Sequence, residues 1–183
     1  PDDLFLYETL GGRLYTKCYT DGSCLCPTDP YLAIAGWALF FSNANRGNAS
    51  APLAATVQNS YVAELRAVAE ALVTASQPRI IYCDCLSVVK QINAFVHHGK
   101  IPDEKGVAPD LWDFICTALS EALPAQWVVV KWMPSHLDSR ERSAKRDEFL
   151  RRGLITWDDI RGNMWVDRMA DAAAHRHRIP TNA

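Results

Sequence analysis

Asp21, Glu64, Asp84 and Asp167 are far apart in the chain, yet each adjoins a segment whose pattern predicts regular structure. Asp21 is read as ending a strand, Glu64 as opening a helix, Asp84 as ending a second strand and Asp167 as starting a late helix. Carboxylates at strand ends and helix starts can converge on one spot, where their repulsion is tolerable only if divalent cations neutralise it. That chemistry suits a two-metal site acting on phosphodiester bonds. Each residue also has a plainer reading. Asp21 can begin a turn with Gly22 and Ser23, and Glu64 can sit in a first helical turn for a dipole benefit of about 0.3–1 kcal/mol. Asp84 can cap the following helix, and Asp167 can be an exposed charge beside Asp171. Glu70 and Asp171 are the nearest alternative acids.

The elements that must position these groups can be read from periodicity. Residues 13–20 alternate and run into Asp21-Gly22-Ser23, a turn signal, so they form a first strand. The apolar run 33–41 is a buried second strand, and 50–58 is a weaker third; short links make the three an antiparallel meander. From Ser60 the apolar residues Val62, Leu65, Ala69 and Leu72 recur at helical spacing. Residues 79–83 then form a strand, 86–96 a helix, 111–123 a helix closed by Pro124, and 127–132 a fifth strand. A charged helix over 139–152 and a return at 153–157 look like an insertion, spanning about 137–162. A last helix over 163–176 has Asn163 as its N-cap, and a basic tail, His175 to Arg178, follows. Meander plus crossover units predict an α/β fold, a mixed five-stranded sheet with helices on both faces, in one domain over residues 1–183.

Composition narrows the class of partner. The chain has 183 residues, a formal net charge of −2 and enough apolar residues for a filled core. Residues 1–130 carry 8 basic and 13 acidic side chains, and residues 131–183 carry 11 and 8, so basic surface is concentrated late. The interleaved charges of 139–152 are equally compatible with a solvated, salt-bridged face. The six cysteines include Cys24-x-Cys26 and Cys83-x-Cys85. Neither has zinc-knuckle spacing, and a gap of one on a strand puts both thiols on one face, so free thiols in a reducing compartment are expected. No apolar run is long enough to span a bilayer and the first residues lack signal-peptide character, which predicts an intracellular protein with no membrane contact. The start at Pro1 reads as a segment of a longer protein.

Six fragments in order resemble the ribonuclease H family of the type 1 and retroelement kind. They are Tyr19-Thr20-Asp21-Gly22-Ser23, Gly36-Trp37-Ala38, Ala63-Glu64-Leu65-Arg66-Ala67, Tyr82-Cys83-Asp84, Val130-Lys131-Trp132-Met133-Pro134-Ser135-His136, and Gly162-Asn163 with Asp167-Arg168-Met169-Ala170. The resemblance implies that the first strand is central, beside the fourth. It implies that Asp21, Glu64, Asp84 and Asp167 bind two Mg²⁺ ions, about 3.5–4 Å apart, for which Mn²⁺ can substitute. It also implies that His136 assists proton transfer or product release. The implied reaction is hydrolysis of the RNA strand of an RNA–DNA hybrid to 5′-phosphate ends. Gly22, Ser23, Asn59, Ser60 and Asn163 are placed to contact the nucleic acid through its minor groove. Leu86 stands where some cellular members carry a glutamine, and residues 99–109 hold no basic protruding helix. Helix 139–152 is the candidate substitute, and a reverse transcriptase domain in the same polyprotein the candidate neighbour of a monomeric domain. The alternatives are a catalytically silent tether of the same fold and an integrase- or resolvase-type nuclease.

Overall fold

The computed structural model describes residues 4–102 and 106–177. Residues 103–105 of the polar connection and Arg178 of the basic tail therefore lie outside the described residues. In chain order the elements are β1 (Tyr7–Leu10), β2 (Arg13–Leu25), β3 (Ile34–Phe40), β4 (Ala49–Pro52), α1 (Ser60–Val73), β5 (Arg79–Cys83), α2 (Leu86–His98), α3 (Pro109–Thr117), β6 (Val128–Trp132), α4 (Ser143–Arg151) and α5 (Trp157–His175). A π turn, Ala118–Ala122, extends α3, and a 3-10 turn, Arg140–Arg142, leads into α4.

The sheet order is β4-β3-β2-β5-β6, with β1 added to β2 as a hairpin. Strands β1, β3 and β4 run antiparallel to their neighbours, whereas β5 and β6 are parallel additions. The mixed α/β sheet matches the expectation apart from the sixth strand. That strand was legible: Gly11-Gly12 is a two-residue hairpin signal, and both residues have positive φ.

Alternation along β2 sorts its side chains to two faces. Cys18 joins Leu39, Leu65, Val68, Ile81, Val88 and Ile115 in the larger core, under α1, α2 and α3. Tyr15 and Tyr19 join Phe40, Ile80, Tyr82, Val166 and Ala170 in a second core under α5. Both faces of the sheet are thus covered, as buried parallel strands require.

Two boundaries differ from expectation in ways that matter for the site. Asp21-Gly22-Ser23 is no turn, because β2 continues to Leu25 and pairs Asp21 with Ala38 and Gly22 with Trp37. Pairing with β5 ends one residue earlier, at Thr20–Cys83, so Asp21 sits where the parallel partner stops. Helix α5 begins six residues before Asn163, at Trp157. Thr156 caps it, accepting from the Asp159 backbone N–H while the Asp159 carboxylate accepts from the Thr156 backbone. Asn163 is consequently no N-cap, Asp167 lies within the helix, and residues 157–162 belong to α5 rather than to an insertion. Gly162 is part of the helix and has a packing role. In α5 it faces the Tyr19 ring, and a Cβ there would lie 2.4 Å from Tyr19 Cδ2.

Beneath α5 lies a buried polar network that the residue pattern did not reveal. Lys17 Nζ donates to Asp159 Oδ1 at 2.9 Å, and the Tyr19 hydroxyl donates to the same oxygen at 2.7 Å. Glu8, on β1, accepts from Lys131 at 2.5 Å and from the Tyr82 hydroxyl. Burial pushes the Asp159 carboxyl up, but Lys17, Tyr19 and the Thr156 backbone outweigh it and hold the group below its ordinary value. The network ties the start of α5 to the sheet, which fixes where the rest of that helix lies.

Candidate metal centre

Three of the four predicted acids come together. Asp21, Glu64 and Asp84 each offer a carboxylate oxygen, and these atoms lie within 4.8 Å of one another. Asp21 reaches the spot from β2, Glu64 from the second turn of α1, and Asp84 from the residue after β5. The helix comes this close to the strand because Gly22 has no side chain. A Cβ there would stand 2.3 Å from the Glu64 backbone nitrogen and 2.6 Å from the Ala63 carbonyl carbon. Asn59 fixes the start of the same helix, its Oδ1 accepting from the Val62 N–H at 2.8 Å.

The trio is costly without a cation. Asp21 and Glu64 are each only 5% exposed. Burial, then the charge of Asp84, pushes the Asp21 carboxyl up to about 8, and Asp167 adds to the rise. Glu64 is driven well above its ordinary value by burial and by Asp21 and Asp84. Asp84 also rises, from burial first, although hydrogen bonds from Glu64 and Asn163 and the charge of His136 oppose it. All three carboxyls are thus pushed toward the protonated form when no cation is bound. A divalent cation would replace the protons and remove the repulsion. Carboxylate oxygens alone, with no sulfur or imidazole in the trio, are the donor set a hard cation prefers.

The other expected residues are distributed around the trio. Asp167 is outside the group of three, though near enough for its charge to raise both Asp21 and Asp84. His136 is exposed, has φ +54°, and lies close enough to Asp84 to lower its carboxyl. Ser60 is exposed, and Asn59 and Ser23 are half-buried; the Ser23 hydroxyl donates to Asp171 at 3.3 Å. Two other residues expected at the nucleic acid lie deeper. Gly22 is buried under α1, and Asn163, 5% exposed, donates its Nδ2 to Asp84 Oδ2 at 3.5 Å. Asp84 caps nothing, because Cys85 holds the N-cap position of α2. The alternative acids are occupied elsewhere, Glu70 with Arg66 at 2.5 Å and Asp171 with His175 at 3.7 Å.

Two supporting residues were missed. The Cys83 thiol donates to Glu64 Oε2 at 3.7 Å, and the Trp132 indole N–H donates to the Asp84 carbonyl at 3.0 Å. Trp132 lay in a matched fragment, so its position was visible but its partner was not. All six cysteines are free, as expected, but Cys26 and Cys85 lie beyond the strand ends rather than on a shared face with Cys24 and Cys83.

Comparison with known proteins places this geometry. A search of curated proteins finds no match. Among solved structures, the protease–reverse transcriptase of prototype foamy virus superposes with a TM-score of 0.63 at 18% identity, covering 88% of this chain and 21% of that one. The solution structure of the foamy virus RNase H domain gives 0.61 at 19%, covering 87% and 93%. LC11-RNase H1, solved in complex with an RNA/DNA hybrid, gives 0.54 at 18%, covering 87% and 96%. At such identities the likeness is one of fold. The family model for RNase H matches residues 14–175, a span that holds all four carboxylates and every strand but β1. The chain therefore belongs to the RNase H family.

Proposed function

We propose that this domain is a metal-dependent endonuclease that hydrolyses the RNA strand of an RNA–DNA hybrid, leaving 5′-phosphate and 3′-hydroxyl ends. The observation that carries the reading is the trio Asp21, Glu64 and Asp84, the first two buried and the third half-buried, mutually repelling and gathered within 4.8 Å. Two Mg²⁺ ions, or Mn²⁺ in their place, fit these ligands; when bound they would supply an activated water and stabilise the departing 3′ oxygen.

The residues of the chain do the rest. Asp21, Glu64 and Asp84 hold the cations, and Asp167 completes the shell from α5. Asn163 orients Asp84, and Trp132 fixes the backbone of the same residue. His136 moves protons at the mouth of the site, where its exposure lets the imidazole exchange with water. Ser23, on β2 two residues beyond Asp21, and Asn59 and Ser60, at the start of α1, are the groups assigned to 2′-hydroxyls in a minor groove.

The foamy virus likeness supports a setting beside a reverse transcriptase domain in one polyprotein, and the proposal takes the domain to act inside the cell as a monomeric unit. No helix among the described residues is long and apolar enough to cross a membrane. The test presents labelled RNA–DNA hybrid, duplex RNA and duplex DNA to the protein, each with Mg²⁺ or EDTA. Hybrid-selective, Mg²⁺-dependent cutting is expected. Equal cutting of duplex DNA, or none of the hybrid by folded protein, overturns the reading.

A further inference from the structure

Helix α4 and its approach contain six basic and four acidic side chains between residues 138 and 152, a surplus of two in a chain of net charge −2. Two of these basics are paired, Arg146 with Asp147 and Arg152 with Glu148, both at 3.3 Å. Lys145 has no carboxylate partner among the described residues. Its ammonium instead lies over two aromatic rings, 5.6 Å from the centroid of Trp132 and 5.8 Å from that of Phe149. The two rings meet edge to face at 6.4 Å. Arg142, one turn before Lys145, is likewise exposed and without an ion pair among the described residues.

This group is held in place. Phe149 and Leu150 pack on Leu137, Ile155 and Ile160, a small apolar cluster separate from the main cores. Trp132 is in turn bonded through its indole N–H to the carbonyl of Asp84. A cation parked on a ring that is hydrogen-bonded to a residue of the carboxylate trio is one side chain removed from that trio. An ammonium over an aromatic face keeps its donors free for an anion, and the face limits where it can go.

We infer that Lys145, seated by Trp132 and Phe149, and the exposed Arg142 one turn before it form a phosphate-binding surface for the nucleic-acid backbone on the α4 side of the carboxylate trio. This rests on the proposed function and specifies where its substrate is gripped. The trio repels a polyanion, so a strand lying across it needs positive charge on its flank. No basic helix occurs among the described residues of 99–109, whereas α4 presents free cations on a base fixed to Asp84. The partner is the backbone of the hybrid, read by charge rather than by sequence.

The test measures hybrid binding in Ca²⁺ across a range of salt for the full chain and for Arg142→Ala/Lys145→Ala, with melting curves to confirm that both are folded. Loss of two phosphate contacts lowers the slope of log affinity against log salt by about 1.8, at roughly 0.9 per contact, and weakens binding on the order of tenfold near ~0.1 M salt. Lys145→Arg keeps the wild-type slope, because charge and ring contact are both retained. An unchanged slope in the double variant overturns the inference, as does a wild type that fails to bind hybrid at low salt. Cleavage in Mg²⁺ is read in parallel. A wild type that shows the predicted slopes yet leaves the hybrid intact refutes the proposed hydrolysis and leaves the α4 surface standing.

Discussion

Replacing Gly22 with alanine tests how the trio is assembled, because the change touches no ligand. The added Cβ would lie 2.3 Å from the Glu64 backbone nitrogen, where ordinary contact begins at 3.4 Å, so α1 and β2 must separate by about 1.1 Å. Its other neighbours are the Ala63 carbonyl carbon and Cβ, so no flexible side chain can yield. Overpacking of this kind costs about 1–3 kcal/mol, which in a domain of this size lowers Tm by roughly 3–10 °C. The displacement also carries Glu64 away from Asp21 and Asp84, and a shift near 1 Å in a catalytic group can cost about 100-fold in rate. Melting curves with and without Mg²⁺, together with hybrid-cleavage rates at temperatures where the variant is folded, separate the two effects. Gly11→Ala is the control: its φ is +57°, but nothing lies within 4 Å of the new Cβ. It should lose stability through strain and keep its cleavage rate. A Gly22→Ala protein with wild-type Tm and wild-type cleavage would refute the idea that close approach of α1 assembles the site.

Three other outcomes are expected. In EDTA, Tm should fall as pH rises from about 4 to about 8. The Asp21 carboxyl sits at about 8 in the fold against an ordinary 3.8, so the protonated site is stable below the lower value and that stability is lost through the higher one. Saturating Mg²⁺ should flatten or reverse the trend, and a flat EDTA profile would contradict the assigned burial. Lys17→Met should destabilise the fold by about 3–5 kcal/mol in urea titrations, because Asp159, 1% exposed, loses its cation; a change under about 1 kcal/mol would show that the network is dispensable. Asn163→Ala should weaken Mg²⁺ affinity about 10- to 100-fold while leaving the hybrid dissociation constant in Ca²⁺ near wild type, since its amide serves Asp84 rather than the substrate.

The sheet and most helices were legible because their periodicity is local. The α1 pattern, the apolar runs of β3, β5 and β6 and the charged α4 all fall within a few residues of where the sequence places them. What was illegible depends on packing between distant segments. Asp21-Gly22-Ser23 has the composition of a turn, yet it pairs with β3 as a strand, and the glycine is needed there because the backbone of α1 lies against it. Gly162-Asn163 looks like a helix start, yet Gly162 serves the Tyr19 ring and Asn163 serves Asp84, so the true start at Thr156 went unread although its capping box was present in the sequence. The site divides in the same way. Residue types and flanking motifs pointed to Asp21, Glu64, Asp84 and Asp167, but that three of them form the tight group while Asp167 stands further out depends on the depth at which α5 is docked. The Glu8, Lys17, Lys131 and Asp159 network helps to set that depth, and no spacing rule links residues so far apart in the chain.

The proposed role of the trio is to bind the cations that cut the hybrid. Its most direct measurement is the Mg²⁺ dependence of hybrid cleavage by wild type and by Asp84→Asn, which keeps the shape of the side chain and removes one ligand charge. The wild type should show saturable Mg²⁺ dependence with 5′-phosphate products, and the variant cleavage reduced by roughly 1000-fold or more, on the scale of removing about 4 kcal/mol of transition-state stabilisation. An Asp84→Asn protein that cuts hybrid at the wild-type rate with the same Mg²⁺ dependence would contradict it.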